Sequence, residues 1–155
     1  MDTNDIALAL SGGGVRAVTF HCGVLRYLAE RGQLERIKYI STVSGASLLI
    51  GLIFHHSRMV WPSSKAYLTH TAPLIREVIS QQDLQRYSIA RLLFKPQNWR
   101  YLLSRANVVA QGICELWGIT ETLGDLPHSP EWSINGTTAE TGKRFRFKLA
   151  QLGDY

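Results

Sequence analysis

The sequence predicts an α/β fold whose two parallel strands bring a candidate site together at their carboxyl ends. The apolar run Ile6–Leu10 is short and is followed by three glycines, which is typical of a strand covered on both faces. A helical pattern follows over 15–31, and a second strand-like run covers 37–42. Two strands joined by one helix form a right-handed βαβ unit, so we expect them to be parallel.

The remaining pattern adds a helical insertion and a hairpin. An apolar run after Ser44 predicts a buried helix, and 64–118 reads as helical throughout, including pieces over 83–94 and from 98 onwards. Ser63 or Ser64 is a candidate N-cap for this helical region. A strand and hairpin are predicted over 131–150, with the turn at 141–142. We treat 1–155 as one domain.

Composition and charge limit the choice of partners. Seventeen basic and twelve acidic side chains give a formal charge of +5, and the basic residues are scattered along the chain. We expect a solvated basic surface, with peripheral contact to an anionic membrane surface as the alternative, and no nucleic-acid partner. The apolar run 47–54 is too short to span a bilayer, and the first residues lack a signal-peptide pattern. Cys22 and Cys114 have no metal or disulfide spacing, so we expect a reducing compartment and a cytoplasmic or peripheral membrane protein. No histidine has metal-ligand spacing with a cysteine or an acid, so no metal is expected.

A glycine loop over 11–16 lies between the first strand and the first helix. Gly12, Gly13 and Gly14 let the backbone turn sharply and bring bare N–H groups close to a ligand. These groups lie at a helix N-terminus, where negative charge is favoured. The loop is therefore predicted to stabilise an anion.

Ser44 is the candidate nucleophile. It follows a buried strand, opens a helix and is flanked by Gly45 and Ala46, so a sharp strand-to-helix turn at 42–46 would project its hydroxyl above the sheet edge. Taken alone, a serine in such a turn is more often an N-cap than a nucleophile.

The pairing of the two segments favours a serine hydrolase. Adjacent parallel strands would place the glycine loop and Ser44 at the same edge, where loop amides can meet the oxyanion formed when Ser44 attacks a carbonyl. The predicted oxyanion donors are the backbone amides of Gly12, Gly13, Gly14 and Gly45.

These residues resemble the patatin-like phospholipase family. The family has three glycines with a basic residue two positions after the last one. This pattern appears here over 12–16 and ends in Arg16. Its Gly-x-Ser-x-Gly elbow appears as Thr-Val-Ser-Gly-Ala over 42–46, with Thr42 and Ala46 in place of the outer glycines, and 135–143 is similar to its later strand and hairpin. The resemblance implies a three-layer α/β/α fold with a mainly parallel sheet and a Ser–Asp dyad that hydrolyses lipid acyl esters.

The family's catalytic aspartate stands in an Asp-Gly pair, and the 155 residues contain none. We therefore expect this chain to be the N-terminal part of a longer domain, active as a full-length protein and inactive as the 155 residues alone. Arg16 is expected to brace the glycine loop through a carboxylate, with a substrate phosphate as the alternative. Asp125 is expected to be a loop or capping residue.

Two other interpretations remain open. Gly-x-Gly-x-x-Ala over 12–17 fits a dinucleotide fingerprint, but the second strand does not end in the acidic residue that holds the ribose. A catalytically silent interaction module of the same fold is the other alternative. His21 is expected to be packed or half-exposed rather than catalytic.

Overall fold

The computed structural model describes residues 4–81, 87 and 105–154. Its elements follow in chain order: β1 (Ile6–Leu10), α1 (Gly14–Ala29), a 3₁₀ turn (Leu34–Arg36), β2 (Ile37–Val43), α2 (Gly45–His56), α3 (Ser64–Ala66), a π-helical turn (Tyr67–Thr71), α4 (Ala72–Gln81), α5 (Arg105–Trp117), a 3₁₀ turn (Leu123–Asp125), β3 (Glu131–Thr137), β4 (Arg144–Phe147) and β5 (Leu152–Asp154).

The five strands form one mixed sheet in sequence order. The pairs β1–β2 and β2–β3 are parallel, and β3–β4 and β4–β5 are antiparallel. The α/β class and the parallel first unit are confirmed, whereas the sheet is less parallel than expected because the hairpin is followed by the strand β5. In the β1–β2 ladder Leu10 lies opposite Thr42, so both strands end at the same edge.

Helices α1 and α2 pack against each other, and α2 also contacts β2. Ile40 and Thr42 lie two residues apart on one face of β2 and are buried, as the period of two in a strand requires. Ile37 is also buried, but it precedes the register shift in the β1–β2 ladder. The opposite face carries Tyr39 and Val43, which are 44% and 41% exposed. The predicted helix after the second strand is confirmed and lies in the core.

The chain divides into two compact units, residues 1–75 with 121–155 and residues 76–120. The first unit contains the whole sheet together with α1, α2 and α3. In the second unit, α5 buries Val108 and Trp117. The predicted helical piece over 83–94, apart from residue 87, and the residues 98–104 lie outside the described residues. None of the helices in the described ranges is both long and apolar enough to cross a membrane.

The two candidate caps, Ser63 and Ser64, have different roles. Ser63 is the N-cap of α3, and its hydroxyl accepts the backbone N–H of Ala66 at 3.2 Å. Ser64 is buried, and it donates its N–H and its hydroxyl to the carboxylate of Glu35 at 2.6 and 2.5 Å. The hydrogen bond from the Ser64 side chain holds the pKa of Glu35 below its ordinary value, outweighing desolvation.

Replacing Glu35 with glutamine should therefore destabilise the protein in a pH-dependent way. A carboxylate with a lowered pKa contributes stability above its unfolded pKa of about 4.3, and loses it as the pH falls through the folded value. We expect Glu35→Gln to reduce the free energy of unfolding by about 0.5–1 kcal/mol at pH 7, since Glu35 is solvent-exposed, and by less at pH 3.5. Urea unfolding followed by tryptophan fluorescence measures both values. Glu140→Gln, in the exposed turn after β3, is the matched control, and an equal loss at both pH values would contradict the assignment.

Candidate active site

The glycine loop has a backbone that other residues rarely adopt. Gly13 has φ 147° and Gly14 has φ 61°, both in the region that favours glycine. Among the described residues, the N–H groups of Gly12 and Gly13 have no hydrogen-bond partner. Gly14 is the first residue of α1, whose opening N–H groups have no acceptor within the helix. The loop thus presents several free donors at a helix N-terminus.

Ser44 lies in a strained turn between β2 and α2. Its φ of 54° and ψ of −124° are unusual for a residue with a side chain and cost about 1–3 kcal/mol. Ser44 is exposed and occupies the N-cap position, yet its hydroxyl does not cap the helix. The N-cap interpretation therefore does not explain the hydroxyl, which bonds to no side chain in the described ranges.

The loop and the serine turn touch each other. A methyl group placed on Gly12 would lie 3.0 Å from the Cβ of Ser44. A methyl group on Gly45 would lie 2.2 Å from the carbonyl oxygen of Gly14. The structure therefore brings together the two segments that the sequence places at one sheet edge. The approach at Gly45 requires glycine, and the approach at Gly12 would be tight for any side chain.

The two residues that replace the elbow's outer glycines lie inside the fold. Thr42 is 1% exposed, and its hydroxyl accepts the indole N–H of Trp132 at 2.9 Å. Because that bond uses the Thr42 oxygen as acceptor, Thr42 can donate its own proton to the hydroxyl of Ser47, 2.8 Å away. This chain of bonds ties the end of β2 to the first turn of α2. Ala46 is fully buried.

His21 is buried, as expected, but it also contacts the glycine loop. Its Nε2 lies 3.0 Å from the carbonyl oxygen of Ser11, the residue before Gly12. Sequence reasoning missed this contact. The available signal was the spacing: His21 lies seven residues, or about two turns, after Gly14, and side chains on a helix lean towards its N-terminus.

No hydrogen bond or ion pair joins Arg16 or Asp125 to the Ser44 turn in the described part of the chain. Arg16 is exposed on the first turn of α1, and no carboxylate in the described part of the chain pairs with it, so its bracing role stays a prediction. Asp125 accepts the N–H and the hydroxyl of Thr122 at 2.7 and 2.9 Å, which confirms it as a capping residue. These hydrogen bonds lower the pKa of Asp125.

An open groove of about 580 Å³ borders the site at the carboxyl ends of the parallel strands. Its wall includes Ser11, the first residue of the glycine loop, Val43 before Ser44, and the basic side chain of Arg144 from β4. Open α/β sheets hold their ligands at this edge.

The fold is therefore of the α/β class, with a glycine loop and a strained serine turn in contact at the sheet edge. A model of patatin-like phospholipases matches residues 8–149, and the chain belongs to the patatin-like phospholipase family. A comparison with curated proteins gives no match.

The chain is also similar to solved structures of human GIVD cytosolic phospholipase A2. With the structure in complex with methyl γ-linolenyl fluorophosphonate, the TM-score is 0.64 at 19% identity, over 99% of this chain and 24% of that chain. A complex with the same inhibitor and terbium chloride gives 0.63 at 17%, with the same coverage, and a third structure gives 0.56 at 18%, over 99% and 23%. The likeness shows the fold, and the chain spans about a quarter of those chains.

Replacing Gly45 with alanine should separate the two segments. The added methyl group meets backbone atoms of Gly14, which cannot rotate away, and such overpacking costs about 1–3 kcal/mol. The matched control is Gly23→Ala in α1, where a methyl group meets nothing within 4 Å and should stabilise the helix by about 0.5–1 kcal/mol. Urea unfolding measures both changes. If Gly45→Ala is as stable as the parent chain, the close approach is not present in solution.

Replacing Ser44 with glycine should increase stability. Glycine adopts the left-handed backbone without strain, and after its larger loss of chain entropy we expect a gain of about 1 kcal/mol. Ser44→Ala removes the same hydroxyl but keeps the strain, so its free energy of unfolding should stay within about 0.5 kcal/mol of the parent value. Thermal and urea unfolding of the parent chain and of the two Ser44 variants measure these differences in stability. Equal stability of the glycine and alanine variants would argue against a strained turn.

Proposed function

We propose that this chain carries the nucleophile and the oxyanion-binding half of a serine hydrolase that cleaves lipid acyl esters, of phospholipase A type. The observation that carries the proposal is the contact between Ser44 and the glycine loop. A strained serine whose hydroxyl is not used as a cap lies next to a loop with free backbone donors, which is an arrangement suited to acyl transfer.

In the proposed reaction, the Ser44 hydroxyl attacks the ester carbonyl and forms a tetrahedral intermediate. The amides of Gly12, Gly13, Gly14 and Gly45 hold the oxyanion, and collapse of the intermediate releases the alcohol and leaves an acyl group on Ser44. Water then attacks this acyl-enzyme and releases the fatty acid. The Ser44 proton must pass to a general base during the first attack and return to the leaving alcohol.

The base is proposed to be an aspartate outside this chain. The sequence contains no Asp-Gly pair, and no carboxylate in the described ranges bonds to Ser44. The family motif that carries the aspartate is therefore expected elsewhere in the full-length protein, completing a Ser–Asp dyad without a metal or cofactor.

A lipid substrate is supported by the family and by the shape and charge of the groove. The groove beside Ser11 is open and carries Arg144, which suits a substrate with an anionic headgroup. The similar human GIVD cytosolic phospholipase A2 was solved with a fluorophosphonate that bears a linolenyl chain. Arg16 remains a candidate either for bracing the loop or for facing a substrate phosphate.

Labelling with a fluorophosphonate tests the proposal. In the full-length protein we expect Ser44 to be labelled and Ser44→Ala to abolish the labelling, while Ser80→Ala, an exposed serine on α4, leaves it unchanged. The 155 residues alone should react about 10²–10⁴-fold more slowly, because the general base is missing. Mass spectrometry of the labelled peptide measures both results.

Two outcomes would contradict the proposal. Rapid ester turnover by the 155-residue chain, abolished by Ser44→Ala, would show that the base is already present here. No labelling of the full-length protein would favour the silent interaction module, in which the replacements Thr42 and Ala46 mark a site without activity.

A further inference from the structure

Within the described part of the chain, the polar contacts of His21 are with Ser11, the first residue of the glycine loop. Its side chain is 5% exposed on α1, and Nε2 lies 3.0 Å from the carbonyl oxygen of Ser11 and 3.5 Å from its hydroxyl. The other ring nitrogen, Nδ1, is buried and has no hydrogen-bond partner in the described part of the chain. A buried ring N–H needs an acceptor, and for His21 that acceptor belongs to the glycine loop.

The contact fixes the position of the imidazole proton. A carbonyl oxygen can only accept a hydrogen bond, so Nε2 of His21 must carry the proton. Nδ1 of the neutral ring then holds a lone pair, which is consistent with a site that offers it no acceptor. The neutral His21 therefore exists as the Nε2–H tautomer.

The bond also fixes the direction of an oxyanion donor. The Ser11 carbonyl and the Gly12 N–H belong to the same planar peptide, so anchoring the oxygen on one side aims the N–H towards the other. Glycine at position 12 offers little resistance to rotation of that peptide. The Gly12 N–H has no partner among the described residues, and Gly12 lies beside Ser44.

We propose that His21 is a positioning residue of the oxyanion loop, which holds the Ser11–Gly12 peptide so that the Gly12 N–H points into the site above Ser44. The inference rests on the proposed hydrolase function, because it assigns the purpose of the bond to oxyanion binding. His21 does not touch the substrate and transfers no proton.

Two substitutions separate the hydrogen bond from the packing. The amide nitrogen of glutamine reaches the position of Nε2, whereas that of asparagine reaches only the position of Nδ1. His21→Gln should therefore keep the bond to Ser11, and His21→Asn should lose it. His56→Asn is the control: this half-buried histidine also has an unpartnered ring nitrogen, and it lies at the far end of α2, about 18 Å from Ser44.

The readout is phosphonylation of Ser44 by methyl γ-linolenyl fluorophosphonate in the full-length protein. We expect His21→Asn to lower the rate constant at saturating reagent by about tenfold or more, with the half-saturating concentration unchanged, because only the transition state places charge on the loop. His21→Gln should stay within about threefold of the parent protein, and His56→Asn should match it. A parent-like rate for His21→Asn, or an equal loss in His21→Gln, would overturn the proposal.

A second measurement tests the hydrogen bond from His21 to Ser11 independently of the hydrolase function. Nitrogen-15 NMR of the unsubstituted 155-residue chain should show His21 as the Nε2–H tautomer, and the Gly12 amide resonance should move in His21→Asn but not in His21→Gln. Finding the Nδ1–H tautomer would overturn the positioning role of His21, even if Ser44 is labelled or the variants do not fold. If the parent protein is not labelled at all, the hydrolase proposal fails, and these spectra alone decide whether His21 holds the loop.

Discussion

The contact between Gly45 and the peptide of Gly14 is the constraint on which the candidate site depends. These residues are the first of α2 and of α1, so the contact joins the N-termini of two helices. Each N-terminus carries about half a positive charge and a set of unsatisfied N–H groups. Their convergence next to Ser44 creates a region that favours negative charge without any charged side chain.

The strain at Ser44 persists because the surrounding structure fixes both ends of the turn. Trp132 donates to Thr42, and Thr42 in turn reaches Ser47, so strand and helix are held together by a buried hydrogen-bond chain. A half-satisfied version of this chain would be unfavourable in the core, and here each of its groups has a partner. The replacements at 42 and 46 are therefore buried within the fold, whereas Ser44 between them is exposed.

The sequence predicted the elements that depend on local pattern. The apolar run, the glycines and the helical spacing are short-range signals, and they located β1, α1, β2 and α2 within about three residues. The sequence did not predict β5, whose three residues carry no distinctive pattern and are specified by pairing with β4. The bond from Trp132 to Thr42 joins residues ninety positions apart, so no local signal could indicate it.

The proposed site divides into a part built from the described residues and a general base that is proposed to come from another segment. Backbone N–H dipoles stabilise an oxyanion most effectively when they already point at its position before the reaction begins. The glycine contacts, the strained Ser44 and the bond from His21 to Ser11 all restrict motion on this side of the site. A base from another segment must come within about 2.6–3.2 Å of the Ser44 hydroxyl, and it can do so reproducibly only if the hydroxyl is already held in place. The rigidity of this half is therefore a requirement of the proposed dyad and is independent of which residue completes it.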